Sequence, residues 1–281
     1  MILRRLAPAA LTALVAACSP LTLFNGVVPK DGGVVRSDDI TYGTHPRQKL
    51  DVYAPKGATG LPVIVWIYGG SWNSGMKEGY GFAGRAFASR GFVTVVPDYR
   101  LVPEVRYPAF LEDNAAAVRW VRANVARYGG DPDRIVLAGH SAGAYNAAML
   151  AVDARWLGAD RAAIKGLIGL AGPYDFLPLD GPVTQAAFGQ APDLPDTQPV
   201  RHVDASAPRA FLATGADDTT VRPRNTEKLA AKLREAGVSV ETRVYPKLGH
   251  VGIVTALARP LRGKAPVLDD ATGFAREATA R

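Results

Sequence analysis

Arg134-Ile135-Val136-Leu137-Ala138-Gly139-His140-Ser141-Ala142-Gly143-Ala144 is the stretch on which the fold turns. Its first five residues are an apolar run of the kind that forms a buried strand, and Ala144 to Val152 is an alanine-rich run suited to a helix. Between them sits G-x-S-x-G, and the sequence strand, motif, helix is the nucleophile-elbow pattern. The two glycines answer a steric demand, because a Cβ on either side of a serine on so sharp a turn would crowd the backbone. The following helix aims its free N–H groups at any anion forming beside Ser141.

Working outward, Pro62 to Tyr68, Phe92 to Val96, Gly166 to Leu170, Ala210 to Ala213 and Val238 to Tyr245 read as further strands. Helical patterns lie between them at 82–90, 110–127, 142–152 and 224–236. Strands alternating with helices predict an α/β fold with a mainly parallel central sheet and helices on both faces. Ahead of this, Asp39 to Tyr42 and Leu50 to Tyr53 suit an antiparallel hairpin at the sheet edge. No linker divides residues 39–281, which are expected to form one catalytic domain. The irregular, proline-rich stretch at about 172–208 is too long for an ordinary connection and is expected to be a short lid. Within it Phe176, Leu177, Leu179 and Phe188 could roof a pocket or pack as a small cluster; both readings stand.

A serine becomes a nucleophile only beside a base, and histidine is the side chain poised near neutral pH. Of four histidines, His140 is fixed inside the elbow, with its side chain expected to point away from Ser141. His45 precedes the first core strand, and His202 falls in the lid region. His250 lies in Leu248-Gly249-His250-Val251-Gly252, a loop at the carboxyl end of the last strand and ahead of a helix predicted over 253–261, where open sheets gather their chemistry. The base needs an acid to fix its tautomer. Thr214-Gly215-Ala216-Asp217-Asp218-Thr219-Thr220-Val221 offers two adjacent carboxylates, which cannot both face His250. Tyr68-Gly69-Gly70-Ser71-Trp72 closes the first buried strand; Gly69 and Gly70 would let backbone N–H groups reach an oxyanion, with Ala142 N–H as the other donor. Trp72 and Phe176 are candidates for the pocket wall. Asp175 could line the pocket or substitute as acid. No His/Asp/Glu spacing suggests a metal, and no cofactor is expected.

With these residues in place the chain resembles α/β-hydrolases of the esterase branch, near hormone-sensitive-lipase-like carboxylesterases. It is similar also to bacterial feruloyl-esterase-like and kynurenine-formamidase-like groups. The resemblance spans roughly residues 45–280 and is carried by Pro97-Asp98-Tyr99-Arg100-Leu101-Val102-Pro103-Glu104, Tyr107-Pro108-Ala109, the helix 114–121, and Asp131-Pro132-Asp133-Arg134-Ile135 before the elbow. It implies the chain order Ser141, Asp218, His250. Gly215-x-x-Asp218-x-x-Val221 matches the spacing of the acid loop in these hydrolases, which favours Asp218 and leaves Asp217 to cap the turn or meet solvent. Relatives usually carry His-Gly-Gly where this chain has Tyr68-Gly69-Gly70, a departure that bears on how the oxyanion loop is held. Asp98, Arg100 and Glu104 read as a buried ion-pair cluster holding their loop.

Arg4 and Arg5 followed by the apolar Leu6 to Ala17 form a signal peptide over residues 1–17. Val15-Ala16-Ala17-Cys18 resembles the lipobox of bacterial lipoproteins, and Cys18 is the only cysteine of the 281 residues, so it is the expected lipidation site. Residues 18–38 would be the anchor and a tether. Ser19 resembles outer-membrane sorting in a bacterium with two membranes, placing the protein in the cell envelope, facing the periplasm. One cysteine makes no internal disulfide, so the core alone must hold the exported fold. The net charge of +7 falls to +5 once Arg4 and Arg5 are removed, and that surplus is spread along the chain, so nucleic acid is not an expected partner. The expected function is hydrolysis of small-molecule carboxylic esters through an acyl-enzyme on Ser141. An amide substrate, such as an aryl formamide or short peptide, is the alternative, and a non-catalytic envelope binding protein is the distant one.

Overall fold

The computed structural model describes residues 20–281; Cys18 and the rest of the signal region lie outside the described residues. Eight strands form one sheet: β1 (Val34–Thr41), β2 (Lys49–Pro55), β3 (Leu61–Ile67), β4 (Val93–Pro97), β5 (Gly130–His140), β6 (Ile164–Leu170), β7 (Ala210–Gly215) and β8 (Val240–Tyr245). Their spatial order is β1-β2-β4-β3-β5-β6-β7-β8. The β1–β2 and β2–β4 pairs are antiparallel and every other pair is parallel, so the predicted hairpin does sit at the edge. Val63, Ile64, Val65, Trp66 and Ile67 are all inaccessible to solvent. Successive residues of a strand point to opposite faces, so this run requires both faces of the sheet to be covered. The cover comes from α2 (Gly81–Ala88), α3 (Ala109–Asn124), α4 (Ala142–Val152), α7 (Arg224–Glu235) and α9 (Val267–Ala278).

Two elements depart from the sequence reading. The stretch expected as a tether folds at its start as a helix, α1 (Pro20–Val27), and β1 begins at Val34 rather than near residue 39. Leu21, Phe24 and Val28 recur at i, i+3 and i+7, one face of a helix, and that face packs on the core. Phe24 meets Phe82 edge-on at 5.3 Å, and the Asn25 side-chain amide donates to Glu78 O at 2.7 Å. The second departure follows His250: the helix, α8, runs from His250 to Thr255 instead of 253–261, and α9 lies beyond it. Segment 172–208 contains α6 (Pro182–Phe188) and two short 3-10 turns, with Phe188 fully buried.

Candidate active site

The elbow forms where β5 hands over to α4. Ser141 holds φ 55° and ψ −126°, a conformation that strains any residue with a Cβ. Its neighbours must then be bare: a Cβ on Gly143 would come within 2.0 Å of Ile67 O, and one on Gly139 within 2.4 Å of Gly143 O. Neither clash could be relieved by rotating a side chain, because both involve backbone. Ala142 is the first residue of α4, so its N–H has no acceptor within the helix and faces the Ser141 side.

His250 opens α8, with Gly249 as its extended N-cap. Ser141 Oγ lies 2.8 Å from His250 Nε2, and His250 Nδ1 lies 2.8 Å from Asp218 Oδ2. A carboxylate can only accept, so Nδ1 carries the proton and Nε2 presents its lone pair to the serine hydroxyl. Asp218 is buried, and its other oxygen accepts from Thr220 N at 2.9 Å and Val221 N at 2.8 Å. Those two backbone bonds lock the carboxylate in the plane it needs. Asp217 is exposed, while its N–H donates to Leu248 O at 3.0 Å, tying the acid loop to the histidine loop.

The glycine loop lies on the other side of Ser141. Gly70, Ser71 and Trp72 have φ of 134°, 54° and 58°, three consecutive residues in the left-handed region. Gly69 packs so closely that a Cβ on it would sit 2.9 Å from Ser141 Cβ. Tyr68, which replaces the usual histidine, stacks between Tyr99 at 4.8 Å and Tyr80 at 5.5 Å. Its hydroxyl donates to Asp98 Oδ1 at 2.8 Å and accepts from Arg47 Nη2 at 2.8 Å. Tyr99 Oη in turn donates to Tyr68 O at 2.9 Å. The loop is braced by a ring stack and a buried carboxylate where a histidine would otherwise serve. Burial pushes Asp98 up to about 6, against the opposing pull of Arg47 and the Tyr68 hydroxyl.

Asp98, Arg100 and Glu104 do not form the single cluster expected of them. Asp98 turns inward to Tyr68, Arg100 pairs with Asp113 at 2.8 Å, and Glu104 meets His45 at 2.6 Å on the surface. Asp175 is neither a spare acid nor a pocket residue; it pairs with Lys228 at 2.5 Å. His202 belongs to the Asp196 turn, where its Nε2 donates to Asp196 O at 2.7 Å. Among the described residues no group of three or more His, Cys, Asp or Glu is placed to hold a metal ion.

Ser141 opens into a cavity of about 520 Å³ whose wall includes Ser71, Trp72, Phe176, Thr220, Arg222 and Asn225. The lid question thus divides by residue: Phe176 and Leu177 line the cavity, while Phe188 packs edge-on against Trp72 at 4.8 Å beneath it. Trp72 does both, with its indole N–H donating to Asn146 Oδ1 at 3.1 Å. One functional contact had no signal in the sequence. His140, inside the elbow, donates from Nε2 to the backbone oxygen of His250 at 2.9 Å. Nothing in the G-x-S-x-G spacing foretells a bond to a residue 110 positions away.

Residues 50–233 match the BD-FAE family. A probable isoprenylcysteine alpha-carbonyl methylesterase, ICMEL1 of Arabidopsis thaliana, is 29% identical over 255 residues, covering 80% of this chain and 52% of that one. Esterase LipQ of Mycobacterium tuberculosis is 30% identical over 254 residues, covering 82% of this chain and 59% of its own. The chain therefore spans less than two thirds of the length of either relative. Among solved structures, the thermostable carboxylesterase EstE1, cloned from a metagenomic library, superposes with a TM-score of 0.80 at 22% identity, covering 98% of this chain and 100% of that one. A truncated carbohydrate esterase from gut microbiota superposes with a TM-score of 0.77 at 21% identity, covering 90% and 100%. These two likenesses establish a shared fold. With the family match running from β2 through the elbow to α7, the chain belongs to the BD-FAE family of esterase-like α/β hydrolases.

Proposed function

We propose that the protein is a serine carboxylesterase working through an acyl-enzyme on Ser141. What carries the reading is the unbroken relay from Ser141 Oγ through His250 to the Asp218 carboxylate, each link 2.8 Å. The esterase names of the sequence relatives support it. Ser141 Oγ attacks the ester carbonyl while its proton passes to His250 Nε2, and Asp218 stabilises the imidazolium. Gly69, Gly70 and Ala142 N–H groups receive the oxyanion, and the missing Cβ of Gly69 gives the clearance to reach it. His250 then protonates the departing alkoxide, and water, deprotonated by the same histidine, releases the acid and restores Ser141.

The test is a panel of acyl nitrophenyl esters, feruloyl esters and N-formyl anilides, with labelling by a fluorophosphonate. Ser141→Ala should lose label and lower kcat by about 10⁴-fold or more, and Asp218→Asn should fall far below Asp217→Asn. An unlabelled but folded wild type would overturn the serine mechanism. Turnover confined to the anilides would move the substrate to amides.

For the envelope, we propose lipidation at Cys18, supported by the lipobox-like Val15-Ala16-Ala17-Cys18 and the basic, then apolar, residues before it. Cys18→Ser should move the protein from the membrane fraction of the expressing cells to the soluble fraction. An unchanged distribution would defeat the anchor.

A further inference from the structure

Among the described residues five large apolar side chains stand exposed, and three of them, Leu23, Val27 and Val251, belong to α1 and α8. Scattered singly such residues need no explanation, but these three adjoin. Pro20, Leu23, Phe24 and Val27 recur at i, i+3, i+4 and i+7, a single stripe along α1. Pro20 and Phe24 of that stripe line an apolar chamber of about 410 Å³, whose wall also includes Val251 and Thr255 of α8. Val251 lines this chamber and is still 53% exposed, so it stands at the mouth. Leu23 and Val27, 59% and 83% exposed, carry the apolar surface outward along α1. α1 holds no charged residue, and no charged side chain lines the chamber.

Positive charge gathers at one end of this surface. The carboxyl ends of α1 and α8 converge there: Arg259 Nη1 donates to Lys30 O at 3.3 Å, and Arg262 pairs with Asp31 at 2.8 Å. Lys30, Arg259 and Lys264 are exposed and form no ion pair with any described residue. The acids nearby are already answered, since Asp31 is held by Arg262 and Glu78, whose backbone oxygen accepts from Asn25 of α1, pairs with Lys77. The other end of α1 is set by the chain. Only Ser19 separates Cys18 from Pro20, and a chain advances at most about 3.6 Å per residue. A lipid on Cys18 would therefore hold the start of α1 within about 7 Å of the anchored residue.

We propose that the outer side of α1 and the start of α8 form a bilayer-contact face that seats on an anionic phospholipid surface. Leu23, Val27 and Val251 enter the boundary between headgroups and acyl chains, while Lys30, Arg259 and Lys264 meet the headgroups. The proposal rests on lipidation at Cys18 to bring the face to the membrane, and it goes beyond it. An anchor alone leaves the body free to turn, whereas an apolar and basic face adds a second attachment and fixes one orientation. The packing of α1 on the core carries that orientation to the catalytic domain.

The test uses the full lipidated protein in liposomes of phosphatidylglycerol and phosphatidylethanolamine. Cys18 is the sole cysteine and would be blocked by its lipid, so Leu23→Cys, Val27→Cys, Val251→Cys and Ala162→Cys each accept one nitrobenzoxadiazole label. All four side chains are exposed, and Ala162 precedes β6 at the amino end of the parallel strands, away from the glycine loop. Doxyl-labelled lipid should quench the labels at 23, 27 and 251 about threefold or more and leave the label at 162 nearly unchanged. Position 251 is decisive, because it is remote in sequence from the anchor. A label there quenched no more than the one at 162 would overturn the face. Quenching equally strong in phosphatidylcholine liposomes would overturn the choice of an anionic surface. Mass spectrometry of the same proteins reads the lipid on Cys18. If it is absent the anchor falls by itself, and the face is then judged with the same labels in a Cys18→Ser background mixed with liposomes, where unquenched labels would overturn it too.

Discussion

His140 and His250 have ring centroids 4.8 Å apart, yet their surroundings give them opposite chemistry. His250 stands at the open start of a short helix, between a carboxylate and a hydroxyl, so both ring nitrogens are engaged in a path along which a proton can move. His140 is at the end of β5, sealed under the elbow, and its single bond runs from Nε2 to the His250 carbonyl. Its Nδ1 is buried without a hydrogen-bond partner among the described residues. Protonating that nitrogen would bury an unpaired N–H and a charge next to His250, and burial together with His250 brings His140 down to about 3. One histidine is placed to exchange protons and the other is held neutral so that it can serve as a strut. The difference shows that exposure and partners, not residue type or proximity to Ser141, decide which histidine does the chemistry.

The largest effect that would break this division is on turnover. His250→Gln removes the proton acceptor and should lower kcat on a nitrophenyl ester by about 10⁴-fold. His140→Leu removes only the bond that fixes the His250 backbone, and should cost roughly tenfold in kcat, the scale of a small misplacement of a catalytic group. His140→Gln, whose amide can donate to the same carbonyl, should recover part of that loss. Equal losses in the two leucine and glutamine variants of His140 would remove the strut role. A His140→Leu loss matching that of His250→Gln would erase the distinction between the two residues.

How much of this was legible in the sequence follows the same logic. The elbow, the strand pattern and the Ser, Asp, His order are local or ordered along the chain, and they carry the fold and the three residues of the relay. Choosing Asp218 over Asp217 rested on the spacing of its loop, and the structure brings Asp218, not Asp217, to His250. Contacts between distant segments left no such trace. Nothing in Tyr68 announces that it stands on Asp98 and between two other tyrosines, since Tyr80 and Tyr99 come from separate loops. Helix α1 was different. The spacing of Leu21, Phe24 and Val28 was present, but nearby Gly and Pro and the adjoining lipobox-like segment favoured reading a tether.

A smaller effect would sharpen the comparison, because a histidine kept neutral by burial leaves a mark on folding. His140 binds its proton near pH 3 in the folded protein and near 6.5 when unfolded. Between those values the unfolded chain holds one more proton than the native one, so His140 makes stability rise with pH across the window and fall as the solution is acidified. The slope is at most about 1.4 kcal/mol per pH unit. Asp98 acts in the opposite sense. Its folded value is about 6 against 3.8 unfolded, so the native state takes up the proton first and stability declines as pH rises between them. The two groups therefore oppose each other over most of the acid range, and the wild-type profile alone would hide both. Urea unfolding of wild type and His140→Leu at pH 4, 5, 6 and 7 separates them, because Asp98 is common to both proteins and cancels in the difference. The stability gap between the two should be widest in favour of wild type at pH 7 and should shrink steadily towards pH 4. A gap that stays constant with pH would mean that His140 titrates alike in the folded and unfolded chain, and the contrast with His250 would then rest on geometry alone.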